Sequence, residues 1–242
     1  MPKAVVFPKQ GSDGAPAVRK FRDSRKRADD PDRPRFNLLL SGPPGTGKTE
    51  FVRHLARETG ARLTLLTGSS LLGSYVGETE SRIRGAFLEA EATGAILFLD
   101  EMDGMLMERQ SANHRWELTQ VNELLHAMEN FNGVFVGATN FTDRLDQAVL
   151  RRFTLKLRFD SLDPSGKRLF FERMFKQAPL SSEEAIRLAA IPNLAPGDFR
   201  TVRQSLYYLG EPPTAARCLA ALEHESALKR GTSTCTPLGF TP

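Results

Sequence analysis

Residues 36–49 read Phe36-Asn37-Leu38-Leu39-Leu40-Ser41-Gly42-Pro43-Pro44-Gly45-Thr46-Gly47-Lys48-Thr49 and continue Glu50-Phe51-Val52-Arg53-His54-Leu55-Ala56-Arg57. Gly42, Pro43, Pro44, Gly45, Thr46, Gly47, Lys48 and Thr49 form a complete G-x-x-x-x-G-K-T phosphate-binding loop. Glycines let the backbone curl until successive amides point at phosphate oxygens, and side chains there would obstruct it. Lys48 supplies a mobile positive charge for the β and γ phosphates, and the Thr49 hydroxyl is placed to ligate Mg²⁺. The apolar run before the loop reads as a buried strand. Thr49–Arg57 has helical spacing, so the loop ends at a helix N-terminus. This stretch predicts binding of ATP or GTP.

Outward from it, Arg62–Leu66 reads as a second strand and Glu78–Ala92 as a helix, with a loop from Thr67 to Gly77 between them. Ala95-Ile96-Leu97-Phe98-Leu99 is an unbroken apolar run, the pattern of a strand buried on both faces. Trp116–Asn130 carries Leu118, Val121, Leu124, Leu125 and Met128 at helical intervals. Val134–Thr139 and Leu155–Phe159 read as further strands. Strands alternating with helices imply an α/β fold built on a doubly wound parallel sheet. From Asp163 the pattern is helical only, with Pro164–Gln177, Ser181–Ala190 and Asp198–Leu209 read as helices broken by Pro192, Pro196 and Pro212-Pro213. The expected organisation is a leader over 1–35, an α/β nucleotide-binding domain over 36–160, a small α-helical lid over 161–230 and a tail over 231–242.

The 242 residues, 40% of them hydrophobic, suffice for one α/β domain and a smaller appendage. Nothing approaches the ~18 uninterrupted apolar residues of a membrane span. The amino terminus has no apolar signal core, which points to a cytoplasmic protein. The net charge of +4 is uneven: residues 1–36 hold ten Lys/Arg against five Asp, a surplus of +5, and the remainder sums to −1. That leader is poor in apolar residues and reads as a flexible arm, either a solvated tail or a tether for nucleic acid or an acidic partner. Cys218 and Cys235 lack metal spacing and read as buried or idle thiols. His54, His114, His126 and His224 do not cluster in sequence.

Phosphoryl transfer needs a second, acidic strand end, and Ile96-Leu97-Phe98-Leu99-Asp100-Glu101 supplies one. Asp100 is placed to hold the Mg²⁺ shell and Glu101 to orient and polarise the attacking water. In a parallel sheet the carboxyl ends of the strands share one crevice. Asn140, closing Gly137-Ala138-Thr139-Asn140, would then face the γ-phosphate, or else cap the following turn.

With these residues in place the chain resembles the AAA+ ATPases, and more narrowly the AAA proteins that remodel or unfold other proteins. The resemblance covers roughly residues 36–210. It rests on Gly42–Thr49, Ser74-Tyr75-Val76-Gly77-Glu78-Thr79-Glu80, Ile96–Glu101, Ala138-Thr139-Asn140 and Leu145-Asp146-Gln147-Ala148-Val149-Leu150-Arg151-Arg152-Phe153, in the family's order. It implies a five-stranded sheet with a helical lid, and Asn140 as sensor 1. Arg151 and Arg152 match the arginine fingers, which reach the γ-phosphate bound by a neighbouring subunit; the alternative for one of them is a structural salt bridge. Tyr75, Val76 and Gly77 resemble the aromatic-hydrophobic-glycine pore loop that grips an extended polypeptide. Glu80 and Arg82 then make subunit contacts, or simply form a solvated helix face. Arg200, in Gly197-Asp198-Phe199-Arg200, is a candidate sensor 2 or a surface residue, with Arg203 a lesser competitor. Met102, Met105 and Met107 read as a second pore loop or as core.

The resemblance implies Mg²⁺-dependent ATP hydrolysis in a homo-oligomeric ring, a hexamer, acting on a protein substrate, with a separate adaptor as a further partner. The alternative is a nucleic-acid motor or loader that uses the basic leader. Two departures stand out. Glu129-Asn130-Phe131 replaces Asp-Gly-Phe before the sensor strand. The family's Gly-Gly segment upstream of the phosphate loop is not recognisable in residues 1–35, so the adenine contacts stay unassigned.

Overall fold

The structure, a computed structural model, describes residues 36–73, 75, 77–103, 115–141, 145 and 147–230. In chain order the elements of the first part are β1 (Phe36–Ser41), α1 (Lys48–Thr59), β2 (Leu63–Thr67), α2 (Gly68–Leu71), α3 (Glu78–Thr93), β3 (Ile96–Asp100), α4 (Arg115–Asn130), β4 (Val134–Thr139), α5 (Gln147–Arg151) and β5 (Leu155–Arg158). The strands form one five-stranded sheet in the order β2-β3-β4-β1-β5, every neighbouring pair parallel. The register pairs Ser41 with Thr139 and Thr67 with Asp100, so the carboxyl ends of the strands line one edge.

Alternation along each strand sorts its side chains onto two faces. Leu38 and Leu40, Ile96 and Phe98, and Val134, Val136 and Ala138 pack with Val52, Leu55 and Ala56 of α1. The intervening Leu39, Leu97, Leu99 and Phe135 pack with Ile83, Phe87 and Ala90 of α3 and with Val121, Leu124, Leu125 and Met128 of α4. Phe87 holds the second layer together, its ring edge-on to Phe131 (5.1 Å between centroids) and stacked on Phe135 (5.3 Å). Both faces are covered by helices, which is why β1, β3 and β4 read as continuous apolar runs. Met102 belongs to this core: a Cβ on Gly137 would lie 2.2 Å from its Sδ, so the missing side chain leaves the methionine its place. Of the two readings of Met102, core packing is correct. Met105 and Met107 lie outside the described residues.

The segment between β2 and α3, expected as a loop, contains the short helix α2. Thr67 starts it through a reciprocal cap, its hydroxyl accepting from Ser70 N (3.2 Å) while Ser70 Oγ accepts from Thr67 N (3.0 Å). Two hydroxyl residues three apart are the signature of such a start, hidden here by the surrounding loop-like composition.

By internal contacts the chain divides into two compact units: one contains residues to Pro43 and Lys48–Phe159, the other Pro44–Gly47 and Asp160 onward. The second carries α6 (Pro164–Met174), α7 (Ser182–Ala190), α8 (Pro196–Tyr208) and α9 (Ala215–Lys229). Its core gathers Phe171, Phe175, Leu188, Leu194, Phe199, Val202, Leu219 and Leu222. Pro196, expected to break a helix, begins one instead: at the first helical position its missing N–H costs nothing. Asp198 secures that start, accepting from Ala195 N (2.7 Å) and from Lys229 Nζ (2.6 Å). The helix α9 was not expected, because Pro212-Pro213 reads as a terminus. The Thr214 hydroxyl, accepting from Arg217 N (3.4 Å), restarts the chain as a helix immediately beyond the prolines.

Buried Lys167 ends α7: its ammonium donates to the carbonyls of Ala189 (2.8 Å) and Ile191 (2.5 Å), which a helix end leaves without partners. Cys218 is fully buried and its thiol is pushed up to about 11 by that burial, so it is an inert packing residue. Cys235 lies outside the described residues. Among the described residues no helix is long and apolar enough to cross a membrane.

Candidate active site

The phosphate-binding loop leaves β1 through three glycines in the left-handed half of conformational space: Gly42 (φ +138°), Gly45 (+76°) and Gly47 (+98°). Gly42 is the most constrained. A Cβ there would stand 2.0 Å from the carbonyl oxygen of Phe159, which is backbone and cannot yield. Gly42→Ala is therefore expected to destabilise the fold by at least about 1–3 kcal/mol. A calorimetric melting temperature lowered by several degrees is the result that checks it; an unchanged one would show that the loop can relax.

Lys48 opens α1 with only 7% of its surface exposed. Its Nζ donates to Gly42 O (2.7 Å), Pro43 O (3.0 Å) and Asn140 Oδ1 (2.8 Å). Burial pulls its pKa below the ordinary lysine value, while the carboxylates of Asp100 and Asp103 oppose that shift. The next residue, Thr49, donates its hydroxyl proton to Asp100 Oδ2 (2.7 Å). Two side chains on one turn of α1 thus engage the ends of β3 and β4. The sequence placed Asp100 and Asn140 at strand ends beside the loop; the structure brings both within hydrogen-bond reach of it.

A threonine hydroxyl and a carboxylate in contact form a hard-oxygen donor pair of the kind that holds Mg²⁺, an ion that keeps several waters and takes few protein ligands. The residues present therefore fit Mg²⁺ bound by Thr49 and Asp100 together with nucleotide phosphates.

Glu101 is one of two non-glycine described residues with positive φ (+54°), the other being Asn193. Its N–H donates to Asp100 Oδ1 (3.0 Å), and its side chain is exposed. A left-handed glutamate costs energy in a fold and persists where surrounding contacts fix it, as at functional turns. The kink turns Glu101 outward while its neighbours stay anchored.

The sequence reading missed Asp103. This carboxylate, 9% exposed, accepts from the backbone N of Asn140 (3.1 and 3.2 Å to its two oxygens) and from the Thr139 hydroxyl. Its signal was a third acidic residue in Asp100-Glu101-Met102-Asp103, overshadowed by the adjacent Asp-Glu pair.

The structure separates the two arginines. Arg152 Nε forms an ion pair with Glu129, and its carbonyl accepts from Asn37 Nδ2 (2.9 Å). Arg151, at the end of α5, is exposed and has no ion-pair partner among the described residues. Glu129 is the residue that replaces Asp in the family's Asp-Gly-Phe pattern, so this departure coincides with a salt bridge.

Tyr75 is 80% exposed, and Gly77 (φ +86°) opens α3; Ser74 and Val76 lie outside the described residues. The base of the loop is braced. Gly73 N donates to Thr79 Oγ1 (2.9 Å), and Glu78 N to Tyr75 O (3.2 Å). The Arg82 guanidinium donates to Ser70 O (3.2 Å), Leu72 O (2.8 Å) and Glu78 Oε1 (2.5 Å). Arg82, 43% exposed, is thus bonded within its own chain. Arg200 and Arg203 are exposed on α8 of the second unit.

Residues 38–161 match the family described as "ATPase family associated with various cellular activities (AAA)". Among curated proteins the chain is similar to spastin of Drosophila simulans, 34% identical over 180 residues, covering 70% of this chain and 24% of that one. It is similar too to a putative 26S proteasome regulatory subunit homologue of Methanothermobacter thermautotrophicus, 34% identical over 172 residues, covering 66% and 46%. The chain thus spans about a quarter of the length of the spastins it matches. Among solved structures, the FIGL-1 AAA domain in complex with ADP superposes with a TM-score of 0.68 at 21% identity, over 93% of this chain and 89% of that one, a likeness of fold. With its sequence match over 38–161 and its parallel sheet of order β2-β3-β4-β1-β5, the chain belongs to the AAA family of ATPases.

Proposed function

We propose that the chain hydrolyses ATP in an Mg²⁺-dependent reaction within a head-to-tail ring, a hexamer, and uses the cycle to remodel or thread a protein substrate. The observation that carries the hydrolytic reading is the pair of contacts Lys48–Asn140 (2.8 Å) and Thr49–Asp100 (2.7 Å), which join the phosphate loop to two strand ends. Lys48 exchanges its carbonyl acceptors for phosphate oxygens when nucleotide enters. Asn140 turns its amide to the γ-phosphate. Thr49 and Asp100 would hold Mg²⁺, which would offset the charge developing on the transferred group. Glu101 orients the attacking water and takes its proton. The water oxygen bonds to the γ-phosphorus as the bond to the bridging oxygen breaks, leaving ADP and phosphate, and the proton passes from Glu101 to solvent.

A finger supplied in trans requires interfaces that close on themselves. Arg151 suits that part, being exposed without an ion-pair partner among the described residues, whereas Arg152 is occupied by Glu129. Arg200 serves as sensor 2 in the same reading. Tyr75, solvent-exposed on a braced loop, supports a grip on polypeptide, and kinship with a proteasome regulatory subunit homologue points the same way. An adaptor would recruit the substrate.

The test is steady-state ATPase rate per chain against protein concentration. The parent and Arg152→Ala should rise with concentration; Arg151→Ala should stay low and flat. A flat parent profile would count against the ring, and equal losses in both variants against the division of labour. A second reading, a nucleic-acid motor, rests on the ten Lys/Arg of residues 1–36. Stimulation by DNA rather than by an unfolded protein, lost with residues 1–35, would favour it.

A further inference from the structure

The contacts of Asp103 are not explained by holding nucleotide or metal. On the side of β4 that faces β3, the ladder continues beyond the strand ends through Met102 N donating to Ala138 O (2.9 Å). On the other side the last bond is Gly42 N to Thr139 O (3.3 Å). The next amide, that of Asn140, has no strand left to pair with, and a buried N–H without an acceptor is costly. Asp103 fills the place of that strand. Its Oδ1 takes the Thr139 hydroxyl and, with Oδ2, the Asn140 amide; Thr139 Oγ1 in turn accepts from Phe141 N (3.1 Å). One carboxylate therefore fixes three consecutive residues whose central member, Asn140, presents its side chain to Lys48.

The same carboxylate sits two residues beyond Glu101. Asp100 is held by Thr49, Met102 is buried against Gly137, and Asp103 is clamped to Asn140, so Glu101 projects from a segment pinned on both sides. We propose that Asp103 is a positioning residue: it sets Asn140 at the γ-phosphate and ties that placement to the turn presenting Glu101. A carboxylate suits the task because two oxygens can meet a hydroxyl and an amide at once, and charge-assisted bonds are the shorter and stronger kind. The inference rests on the hydrolytic reading of Asn140 above, and the experiment separates the two.

Steady-state ATPase kinetics are measured on the full chain for Asp103→Ala, Asp103→Asn, Asn140→Ala and the Asp103→Ala/Asn140→Ala double variant, at a concentration where the parent rate per chain has levelled. Asp103→Ala should lower kcat by about 10–100-fold, the range for outer partners that orient a functional ligand, and change KM for MgATP by less than about threefold, the pattern of an interaction realised in the transition state. Asp103→Asn keeps an oxygen acceptor and should restore most of kcat. In the Asn140→Ala background the same Asp103→Ala change should cost clearly less than it does in the parent, what remains being the share that acts through the turn of Glu101, since residues that act through one another are not additive. If Asp103→Ala does not fold, Thr139→Val, which removes one of the carboxylate's donors, takes its place in the cycle. Losses that multiply in the double variant, or a raised KM with kcat intact, would overturn the inference while leaving the reading of Asn140 standing. Parent-like turnover by Asn140→Ala would instead sink that reading, and this inference with it.

Discussion

Lys48→Ala should abolish useful nucleotide binding while leaving the fold intact. The ammonium is buried and is held by Gly42 O, Pro43 O and Asn140 Oδ1. Truncating one partner of a buried, hydrogen-bonded charge pair costs about 2–5 kcal/mol. At roughly 1.4 kcal/mol per factor of ten, that weakens binding by about 30-fold to several thousand-fold. The apo protein should be far less affected. Burial works against the charged form of Lys48, and of the two residues whose carbonyls it leaves behind, Pro43 is exposed to water. Two measurements decide the matter. Calorimetric titration with ADP should give the weakened Kd, and the rise in melting temperature that saturating nucleotide produces in the parent should disappear. A Kd within threefold of the parent would mean that loop amides alone hold the phosphates.

How much of this site was legible beforehand follows from how its parts are encoded. Gly42–Thr49 and Asp100-Glu101 are local patterns: the loop needs glycines at fixed offsets, and a buried strand ending in acids is visible as a run. The two-faced sheet was equally plain, because β1, β3 and β4 send apolar side chains to both faces. The parts that escaped depend on distant partners. Asp103 acquires its meaning from Thr139 and Asn140, 36 and 37 residues away, and no local spacing announces that meeting. Arg151 and Arg152 are adjacent and chemically identical; Glu129 and Asn37, from other elements, tell them apart. Pro196 and Pro212-Pro213 misled for a local reason. A proline signals a break only inside a helix, and here each lies at or before a helix start, where Asp198 and Thr214 supply the caps.

The helix α9 shows the complementary case. Its apolar positions Cys218, Leu219, Leu222 and the buried Ser226 make a weak stripe diluted by alanines. It is held by packing against α7 and α8, by Lys229 on Asp198, and by Arg187 with Glu223, a pair whose two bonds measure 2.7 and 2.6 Å. That pair holds the Glu223 carboxyl below its ordinary value. It is half exposed, so solvent screens it and its contribution is small.

Glu101→Gln should separate binding from turnover. Gln keeps the length and shape of the side chain and tolerates the left-handed backbone no worse than Glu, so the turn at φ +54° should persist. The anchors on either side, Asp100 to Thr49 and Asp103 to Asn140, are untouched. What disappears is the carboxylate proposed to accept a hydrogen bond from the attacking water, and a positioned base of this kind contributes about 10²–10⁴-fold to rate. kcat should fall by that range, with the Kd for ATP within a few-fold of the parent. Because the nucleotide stays whole in such a variant, the interfaces it stabilises should outlast the separation, and light scattering after size exclusion should find the ring enriched over the parent under the same ATP. The two readouts fail independently. Full hydrolysis by Glu101→Gln would remove Glu101 from the catalytic role and shift attention to Asp100. Lost hydrolysis with no gain in assembly would keep the chemistry and break its link to the proposed ring, since a γ-phosphate read in trans by Arg151 would favour the assembled state whenever it persists.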